Sequence, residues 1–190
     1  MKIAVLALQG AFAEHEAMLR RLGVETFLVR KSDHWLQHKD ALVIPGGEST
    51  AQMKLLRELH LESAIRDDIL QGLPVFGTCA GLILLSQSHL ATMDIEVCRN
   101  AYGRQLGSFH AVHHVEGIGL DIPMTFIRAP YISRVFGKAR AMASLDGRIV
   151  AARQGNQLVT AFHPELTDDL RLHEFFLQMV GRTVGDTYLS

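Results

Sequence analysis

The first half of the chain alternates short apolar runs with segments whose apolar residues recur at helical spacing. Residues 3–8 form an unbroken apolar run, as expected of a parallel strand covered on both faces. Further strands are predicted at 25–29, 41–44 and 74–77, and helices at 13–22, 49–59, 62–71 and 82–86. Ala13, Ala17, Met18, Arg21 and Leu22 give the first helix its spacing. This alternation predicts an α/β fold, with right-handed crossovers joining a mostly parallel sheet that carries helices on both faces.

The second half of the chain changes character. Residues 95–159 hold short β-like runs separated by Gly, Pro and Asn. Runs at 126–128, 148–153 and 157–162 predict hairpins or edge strands added to the sheet. A last helix is predicted at 168–180, followed by a frayed tail over 182–190. No repeat or long linker interrupts the 190 residues, so one domain spanning 1–190 is predicted.

Composition excludes several classes of protein. The hydrophobic fraction of 48% and charged fraction of 21% argue against disorder. A net charge of −1 gives no support to nucleic acid as the main partner. No apolar run reaches the roughly 18 residues of a membrane span, and no basic amphipathic tract suits a membrane surface. The two cysteines, Cys79 and Cys98, make no disulfide framework, and the lack of a signal peptide predicts the cytoplasm.

The strongest local signal is the segment Gly77-Thr78-Cys79-Ala80-Gly81, which follows a short apolar strand. It has the G-x-nucleophile-x-G form of a nucleophile elbow, with Cys in the place of Ser. Side chains at the flanking glycines would collide with neighbouring backbone in this strained turn. The turn places the thiol at the carboxyl ends of the strands and near a helix N-terminus, which favours the thiolate. A buried cysteine in a glycine-containing turn is the competing interpretation.

The tripeptide His163-Pro164-Glu165 supplies what a cysteine nucleophile needs, a base and a group that orients the base. It follows the apolar run 158–162 and so lies at a strand end. A residue before proline is pushed towards extended backbone, where positions i and i+2 face the same side. We therefore expect Glu165 to lie beside His163 and to fix its tautomer. A solvated turn is the competing interpretation.

A third segment, Pro45-Gly46-Gly47-Glu48-Ser49-Thr50, follows the strand predicted at 41–44. Its two glycines let the backbone approach a ligand and turn N–H groups inward, where they could stabilise an oxyanion together with the Ala80 amide. Glu48 could meet a substrate ammonium group. The competing interpretation is a tight turn in which Ser49 caps the next helix. The loop is not a phosphate-binding Walker A sequence, since no Gly-Lys-Ser/Thr follows.

Together, the cysteine elbow, the glycine loop and the His-Pro-Glu segment make this chain resemble the class I (triad) glutamine amidotransferases. Within that class it is most similar to the glutaminase subunits of pyridoxal 5′-phosphate synthase. The resemblance runs over residues 2–180 in the family's order. Its blocks are LQG at 8–10, PGGEST at 45–50, FGTCAGL at 76–82, RN at 99–100, YGRQ at 102–105, SF at 108–109, FIRAP at 126–130 and FHPELT at 162–167.

The resemblance implies a flavodoxin-like, three-layer fold and a role for each matching residue. Cys79 would attack the side-chain amide of glutamine, His163 would shuttle protons and Glu165 would orient His163. The amides of Gly47 and Ala80 would form the oxyanion hole. The implied glutamine-binding residues are Gly47, Glu48, Ser49, Arg99, Ile127 and Arg128. A guanidinium suits the α-carboxylate of glutamine because it can donate paired hydrogen bonds, although a surface ion pair would also explain Arg128.

The resemblance also implies the reaction and the partner. L-Glutamine would be hydrolysed to L-glutamate and ammonia without a cofactor. The ammonia would pass to a (β/α)₈-barrel synthase subunit that makes pyridoxal 5′-phosphate, within a hetero-oligomeric complex.

Three rival functions fit the sequence less well. Another triad glutaminase, serving histidine, nucleotide or anthranilate synthesis, is disfavoured by the GRQ and IRAP blocks. A cysteine peptidase or glyoxalase of related fold often carries His directly after Cys, where this chain has Ala80. A regulatory subunit with a dead site is disfavoured by the intact triad.

Two departures from the family pattern and the histidine content complete the sequence evidence. The stretch 88–98 is shorter than the family segment, and Cys98 stands where an acidic residue is common, which bears on the geometry around Arg99. We interpret Cys98 as a packed small residue, since no elbow surrounds it. Of ten histidines, His34 and His38 have the spacing of helical metal ligands. No third ligand joins them recognisably and H-E-x-x-H is absent, so no metal site is predicted.

Overall fold

The computed structural model describes residues 1–99 and 107–187, with side chains to residue 183. The strands are β1 (Lys2–Leu6), β2 (Glu25–Val29), β3 (Ala41–Ile44), β4 (Val75–Thr78), β5 (Ile95–Cys98), β6 (Ser108–Val115), β7 (Gly119–Ile127), β8 (Tyr131–Val135), β9 (Arg140–Leu145), β10 (Arg148–Gln154) and β11 (Gln157–Thr160). The helices are α1 (Phe12–Arg21), α2 (Ser32–Trp35), α3 (Ser49–Glu58), α4 (Glu62–Leu70), α5 (Ala80–Leu85) and α6 (Arg171–Thr187), with a 3₁₀ turn at Pro164–Leu166. The YGRQ block at 102–105 and residue Asn100 lie outside the described residues.

The main sheet confirms the predicted mostly parallel architecture. Its strand order is β2-β1-β3-β4-β11-β10-β8-β5, and β9 pairs with β10. Strands β2, β1, β3, β4 and β11 run parallel to one another, whereas β10 pairs antiparallel with β11 and β8, and β8 pairs antiparallel with β5. The apolar run of β1 is fully buried from Ile3 to Val5, as expected of a strand covered on both faces.

Helices cover both faces of the sheet. The crossover from β1 to β2 and the crossover from β3 to β4 move in opposite directions along the sheet, so right-handed connections place α1 on one face and α3 and α4 on the other. Helix α6 joins α1, because Phe176 packs on Phe76 of β4 and His173 on His15 of α1. The carboxyl ends of β1, β3, β4 and β11 therefore meet at one edge between two helical layers.

The buried side of α1 includes a residue that the apolar spacing of the sequence does not indicate. The helix buries His15, Met18 and Leu19. The helix predicted at 13–22 is present, and of the residues that gave it its spacing Met18 is buried and Leu22 half-buried, whereas Ala13, Ala17 and Arg21 are exposed. The residue not indicated is His15, a polar side chain that a search for apolar spacing passes over.

The C-terminal helix is also longer than predicted. Helix α6 extends to Thr187, so the expectation of a frayed tail from residue 182 was wrong for the described part of that tail. No proline interrupts the segment, and the Thr183 hydroxyl donates to the Met179 carbonyl at 3.1 Å. At its other end, the helix begins at Arg171 rather than 168, because the Asp169 carboxylate accepts from the Arg171 amide at 2.9 Å.

The predicted hairpins are present, and one of them supports the site. Strands β6 and β7 form a separate two-stranded sheet. Phe109 and Phe126 stack across it with ring centroids 4.5 Å apart, and Phe126 contacts Phe162 beyond the end of β11. The hairpin is thereby fixed against the segment that leads to His163. Among the described residues, no helix has the length and apolar character needed to cross a bilayer.

Candidate active site

The turn between β4 and α5 has the geometry of a nucleophile elbow. Cys79 lies in it with φ 48° and ψ −99°, a backbone conformation that is rare for a residue with a side chain. A Cβ on Gly77 would lie 2.8 Å from the Gly81 carbonyl, and one on Gly81 would lie 2.2 Å from the Ile44 carbonyl oxygen. The predicted collisions at both flanking glycines are therefore confirmed, and the thiol is held in one place.

The segment after β11 brings a histidine and a carboxylate to the same place. His163 Nδ1 lies 2.7 Å from Glu165 Oε1, and both side chains are buried. The predicted neighbourhood is present, but the route to it differs. Glu165 lies in the 3₁₀ turn rather than in an extended strand, and the tightness of that turn brings it back towards the ring. The His163 amide donates to the Thr125 carbonyl of β7 at 2.8 Å, which anchors the backbone.

Electrostatics favour the imidazolium form of His163. Burial alone would lower the pKa of His163, but hydrogen bonds with Cys79 and Glu165 and the charges of both partners raise it to about 10. Burial would likewise raise the pKa of Glu165, yet the imidazoles of His15 and His163 lower it, so the carboxylate stays ionised. The arrangement is a thiol, an imidazole and a carboxylate in hydrogen-bonded sequence, which is the pattern of an activated nucleophile.

The loop after β3 packs directly against these residues. The Gly46 amide donates to Thr78 Oγ1 at 3.0 Å, and the Gly46 carbonyl accepts from the Ala11 amide at 2.9 Å. The Gln9 side chain accepts from the Glu48 amide at 2.7 Å. A Cβ on Gly47 would lie 2.3 Å from Gln9 Oε1, so this loop and the segment after β1 fit together closely.

Helix α3 is capped by Glu48 rather than by Ser49. The Glu48 carboxylate accepts from the Thr50 amide at 3.0 Å and from the Ala51 amide at 2.7 Å, and these hydrogen bonds lower its pKa. Ser49 is the first residue of the helix, so the expected capping by Ser49 was wrong. The longer side chain reaches the free amides of the first turn because it starts one residue earlier, and its charge suits the helix N-terminus.

A cavity of about 670 Å³ opens above Cys79 and gathers most of the predicted residues. The predicted residues that line it are Gly47, Glu48, Ser49, Cys79, Arg99, Ile127, Arg128 and His163. Arg99 donates to the Ser49 hydroxyl and, at 3.4 Å, to that of Thr50. Ala80 and Glu165 are buried behind the lining rather than in it. The residues from distant segments thus form one pocket over the thiol.

Several residues of the site escaped sequence analysis. Gln9 and Gln52 hold the glycine loop, since Gln52 Nε2 donates to the carbonyls of Gln9 and Pro45. His15, Thr78 and His173 lie buried behind the triad. The signal that would have found His15 is a histidine within the apolar spacing of α1, three and four residues before Met18 and Leu19.

The remaining predicted features lie away from the cavity floor. Cys98 is half-buried, and its Sγ lies 3.8 Å from the Arg99 carbonyl oxygen. His34 belongs to the four-residue helix α2 and His38 follows its end, so the two histidines do not share a helix. Within the described ranges, no group of three His, Cys, Asp or Glu side chains is arranged to hold a metal ion.

Comparison with known proteins agrees with this geometry. Residues 5–182 match the SNO glutamine amidotransferase family, and the chain belongs to that family. A protein of Streptococcus pneumoniae (strain CGSP14) named pyridoxal 5′-phosphate synthase subunit PdxT is 54% identical over 189 residues, covering 94% of this chain and 97% of its own. The protein of the same name from Haemophilus influenzae (strain PittEE) is 53% identical, covering 94% of this chain and 98% of its own.

Solved structures place the fold in the same class. A crystal structure of a glutamine amidotransferase has a TM-score of 0.88 and 45% identity, covering 94% of this chain and 98% of its own. The crystal structure of a GMP synthase protein from Thermoplasma acidophilum has a TM-score of 0.74 at 22% identity, covering 100% of this chain and 96% of its own. The fold is thus that of the class I glutamine amidotransferases, as the motifs predicted.

Proposed function

We propose that this chain is the glutaminase subunit of a pyridoxal 5′-phosphate synthase and hydrolyses L-glutamine to L-glutamate and ammonia. The observation that carries the proposal is the meeting of Cys79, His163 and Glu165 beneath one cavity, from segments 84 residues apart, in a member of the SNO glutamine amidotransferase family. Relatives at 53–54% identity that bear the name PdxT support the particular pathway.

The chemistry starts from Cys79 beside the His163 imidazolium, the form that the raised pKa of His163 favours. The Cys79 thiolate attacks the side-chain amide carbon of glutamine, and its electron pair forms the C–S bond. The amides of Gly47 and Ala80 stabilise the oxyanion that develops on the amide oxygen. The His163 imidazolium then gives its proton to the departing nitrogen, and ammonia leaves. A γ-glutamyl thioester remains on Cys79.

Hydrolysis of the thioester reverses the role of His163. The neutral imidazole takes a proton from water, and the resulting hydroxide attacks the thioester carbon. The C–S bond breaks, glutamate leaves, and the thiolate–imidazolium pair is restored. Glu165 keeps the ring in one tautomer throughout and stabilises its charged form. No cofactor takes part in these steps.

Residues around the cavity would hold the amino-acid end of glutamine. The guanidinium groups of Arg99 and Arg128 suit the α-carboxylate, because each presents several N–H donors in one plane. Glu48 offers a carboxylate to the α-ammonium group while it caps α3. Ser49 and Ile127 complete the contact, with Ile127 40% exposed at the cavity mouth.

The ammonia would be used by a second subunit. We assign that role to a (β/α)₈-barrel synthase, in a cytoplasmic hetero-oligomeric complex in which this chain acts as one amidotransferase domain. Exposed Ile127 and Leu166 flank the cavity mouth, which makes this face the candidate docking surface. Docking there would let ammonia leave without entering bulk water, and contact with the partner would bring the glycine loop into its active form.

The test is glutamate release from glutamine, measured with and without the barrel subunit. We expect release that the partner stimulates and that Cys79→Ala abolishes, whereas Cys98→Ala leaves it intact because Cys98 lies outside the cavity lining. Release that depends on Cys79 without stimulation would keep the glutaminase and contradict the assigned partner. Full activity in Cys79→Ala would overturn the mechanism.

A further inference from the structure

A buried row of polar side chains lies behind the triad and has no role in the steps above. It comprises His15 of α1, Thr78 at the end of β4 and His173 of α6, each 0% exposed. Polar groups in such a position are retained only when hydrogen bonds compensate for the loss of water. The partners of these side chains therefore indicate what the row does.

His15 is the centre of this row. Its Nδ1 lies 2.9 Å from His173 Nε2, and its Nε2 lies 3.0 Å from Thr78 Oγ1. The same Nε2 lies 3.4 Å from Glu165 Oε2. Among the described residues, that carboxylate oxygen has no hydrogen-bond partner, and neither has His173 Nδ1. His15 is thus the polar neighbour that Glu165 has on the side away from His163.

These contacts distinguish between two possible arrangements of the ring protons of His15 and His173. If Thr78 donated to His15 Nε2, a lone pair of His15 would face the Glu165 carboxylate, and His173 would bury an unsatisfied N–H at Nδ1. If His15 carries its proton on Nε2, that N–H faces both Thr78 Oγ1 and Glu165, and His173 Nε2–H donates to His15 Nδ1. The unpartnered atom of His173 is then a lone pair. The second arrangement turns a donor, rather than a lone pair, towards the Glu165 carboxylate and is favoured for that reason.

We propose that His15 is a positioning residue for the triad, holding the Glu165 carboxylate through its Nε2–H, with its tautomer fixed by His173. The inference rests on the proposed glutaminase function. His15 also bonds Thr78, whose hydroxyl accepts from the Gly46 amide, so one side chain links the carboxylate of the triad to the glycine loop. Helices α1 and α6 thereby fix the relative position of the proton-transfer pair and the loop.

His15 acts as a neutral dipole. The ionisable groups near it are Glu165, His163, His173 and Glu14. Burial lowers the pKa of His15 despite the attraction of Glu165, and burial lowers the pKa of His173 further. A neutral N–H directed at the carboxylate favours its ionised form without placing a second full positive charge beside the His163 imidazolium.

The test compares His15→Phe, which keeps a ring but removes the N–H, with His15→Gln, which returns an amide N–H near the Nε2 position. In the complex with the synthase subunit, His15→Phe is expected to lower kcat by about 10- to 100-fold with KM changed less than about twofold, because the base is misplaced rather than the substrate. The acid limb of its kcat/KM profile moves to higher pH, since Glu165 loses a donor. His15→Gln restores most of kcat.

Met18→Ala is the matched control, because Met18 is buried one turn further along the same helix. It loses packing in α1 and is expected to keep both kcat and the pH profile. Unchanged kcat and pH profile in His15→Phe would overturn the proposal. So would a loss that His15→Gln fails to repair and Met18→Ala reproduces, since that pattern belongs to packing alone.

A second measurement separates this proposal from the proposed function. In a Cys98→Ser background, the rate of Cys79 alkylation by iodoacetamide is followed against pH, which requires no glutamine. His15→Phe is expected to move the midpoint of that profile to higher pH, because a less constrained Glu165 stabilises the imidazolium less. A shifted midpoint in a chain that never releases glutamate would reject the function and keep the positioning role. An unshifted midpoint would reject the positioning role.

Discussion

Gly46 lies directly against the imidazole of His163. A Cβ built on Gly46 would lie 2.2 Å from His163 Cε1 and 2.7 Å from Nδ1. The ring has no room to retreat, since Nδ1 is hydrogen-bonded to Glu165 and the backbone amide to Thr125. The absence of a side chain at position 46 is therefore a requirement of the site rather than only of the turn.

Gly46→Ala is expected to lower glutamine turnover by about 100-fold or more, because the added methyl group displaces the base from the thiol. Glutamate release by the variant, with the synthase subunit present, gives the measurement, and circular dichroism checks that the fold remains. Gly181→Ala is the control, since its Cβ meets no atom within 4 Å. It lies in α6 and is expected to leave turnover unchanged and raise the free energy of unfolding by about 0.5–1 kcal/mol. Wild-type turnover in Gly46→Ala would contradict this account.

Glu48 is expected to show two separable effects, because its carboxylate both caps α3 and faces the cavity. Glu48→Ala removes the acceptor for the Thr50 and Ala51 amides and is expected to lower the free energy of unfolding by about 1 kcal/mol. Glu48→Gln retains a side-chain oxygen for the cap but loses the charge, so it keeps most of the stability. Urea unfolding measures the first effect.

The KM for glutamine measures the second effect of Glu48. It is expected to rise about tenfold in both variants, as for the loss of one charge-assisted hydrogen bond. An unchanged KM in Glu48→Gln would show that the carboxylate serves the helix alone.

Because the pKa of His163 is raised, the contribution of this residue to the free energy of unfolding decreases as pH rises. With a pKa of about 10 in the folded chain, against 6.5 as the ordinary value, the folded state holds the proton more tightly. The stabilisation is complete below pH 6.5 and disappears as pH rises towards 10. The difference in free energy of unfolding between wild type and His163→Gln should therefore be larger at pH 6 than at pH 10. Urea titrations at both values test this, and a larger difference at pH 10 would reject the ion pair.

Much of the fold could be predicted because the first half of the chain repeats a simple pattern. The bounds of β2 and β3 agree with prediction, and α3 and α4 differ by one residue at their ends. The elbow was predictable for a different reason, since the two glycines around the nucleophile form a short motif, although the contact that requires glycine lies within the turn for Gly77 and at the end of β3 for Gly81. Sequence patterns did not indicate burial that depends on contacts with distant elements. An example is His15, which completes the buried side of α1 through contacts with α6 and β4.

The site was predictable where one motif carries the geometry and less so where several segments meet. The contact between His163 and Glu165 was expected from their spacing, although a 3₁₀ turn rather than extended backbone produces it. The carboxylate of Glu48 was expected to meet substrate, but its hydrogen bonds to the first turn of α3 depend on where that helix begins. The row formed by His15, Thr78 and His173 joins positions up to 158 residues apart, which no local pattern reveals.

Strand β11 enters the sheet beside β4, which was made some eighty residues earlier. Until that happens, β4 is an open edge of the sheet and the thiol at its end has no base. During synthesis on the ribosome, Cys79 is therefore made long before His163. The two side chains are brought together in one step, when the last parallel strand joins the sheet. Under the proposed mechanism, an interrupted or truncated chain that lacks β11 holds Cys79 without His163 and is expected not to release ammonia.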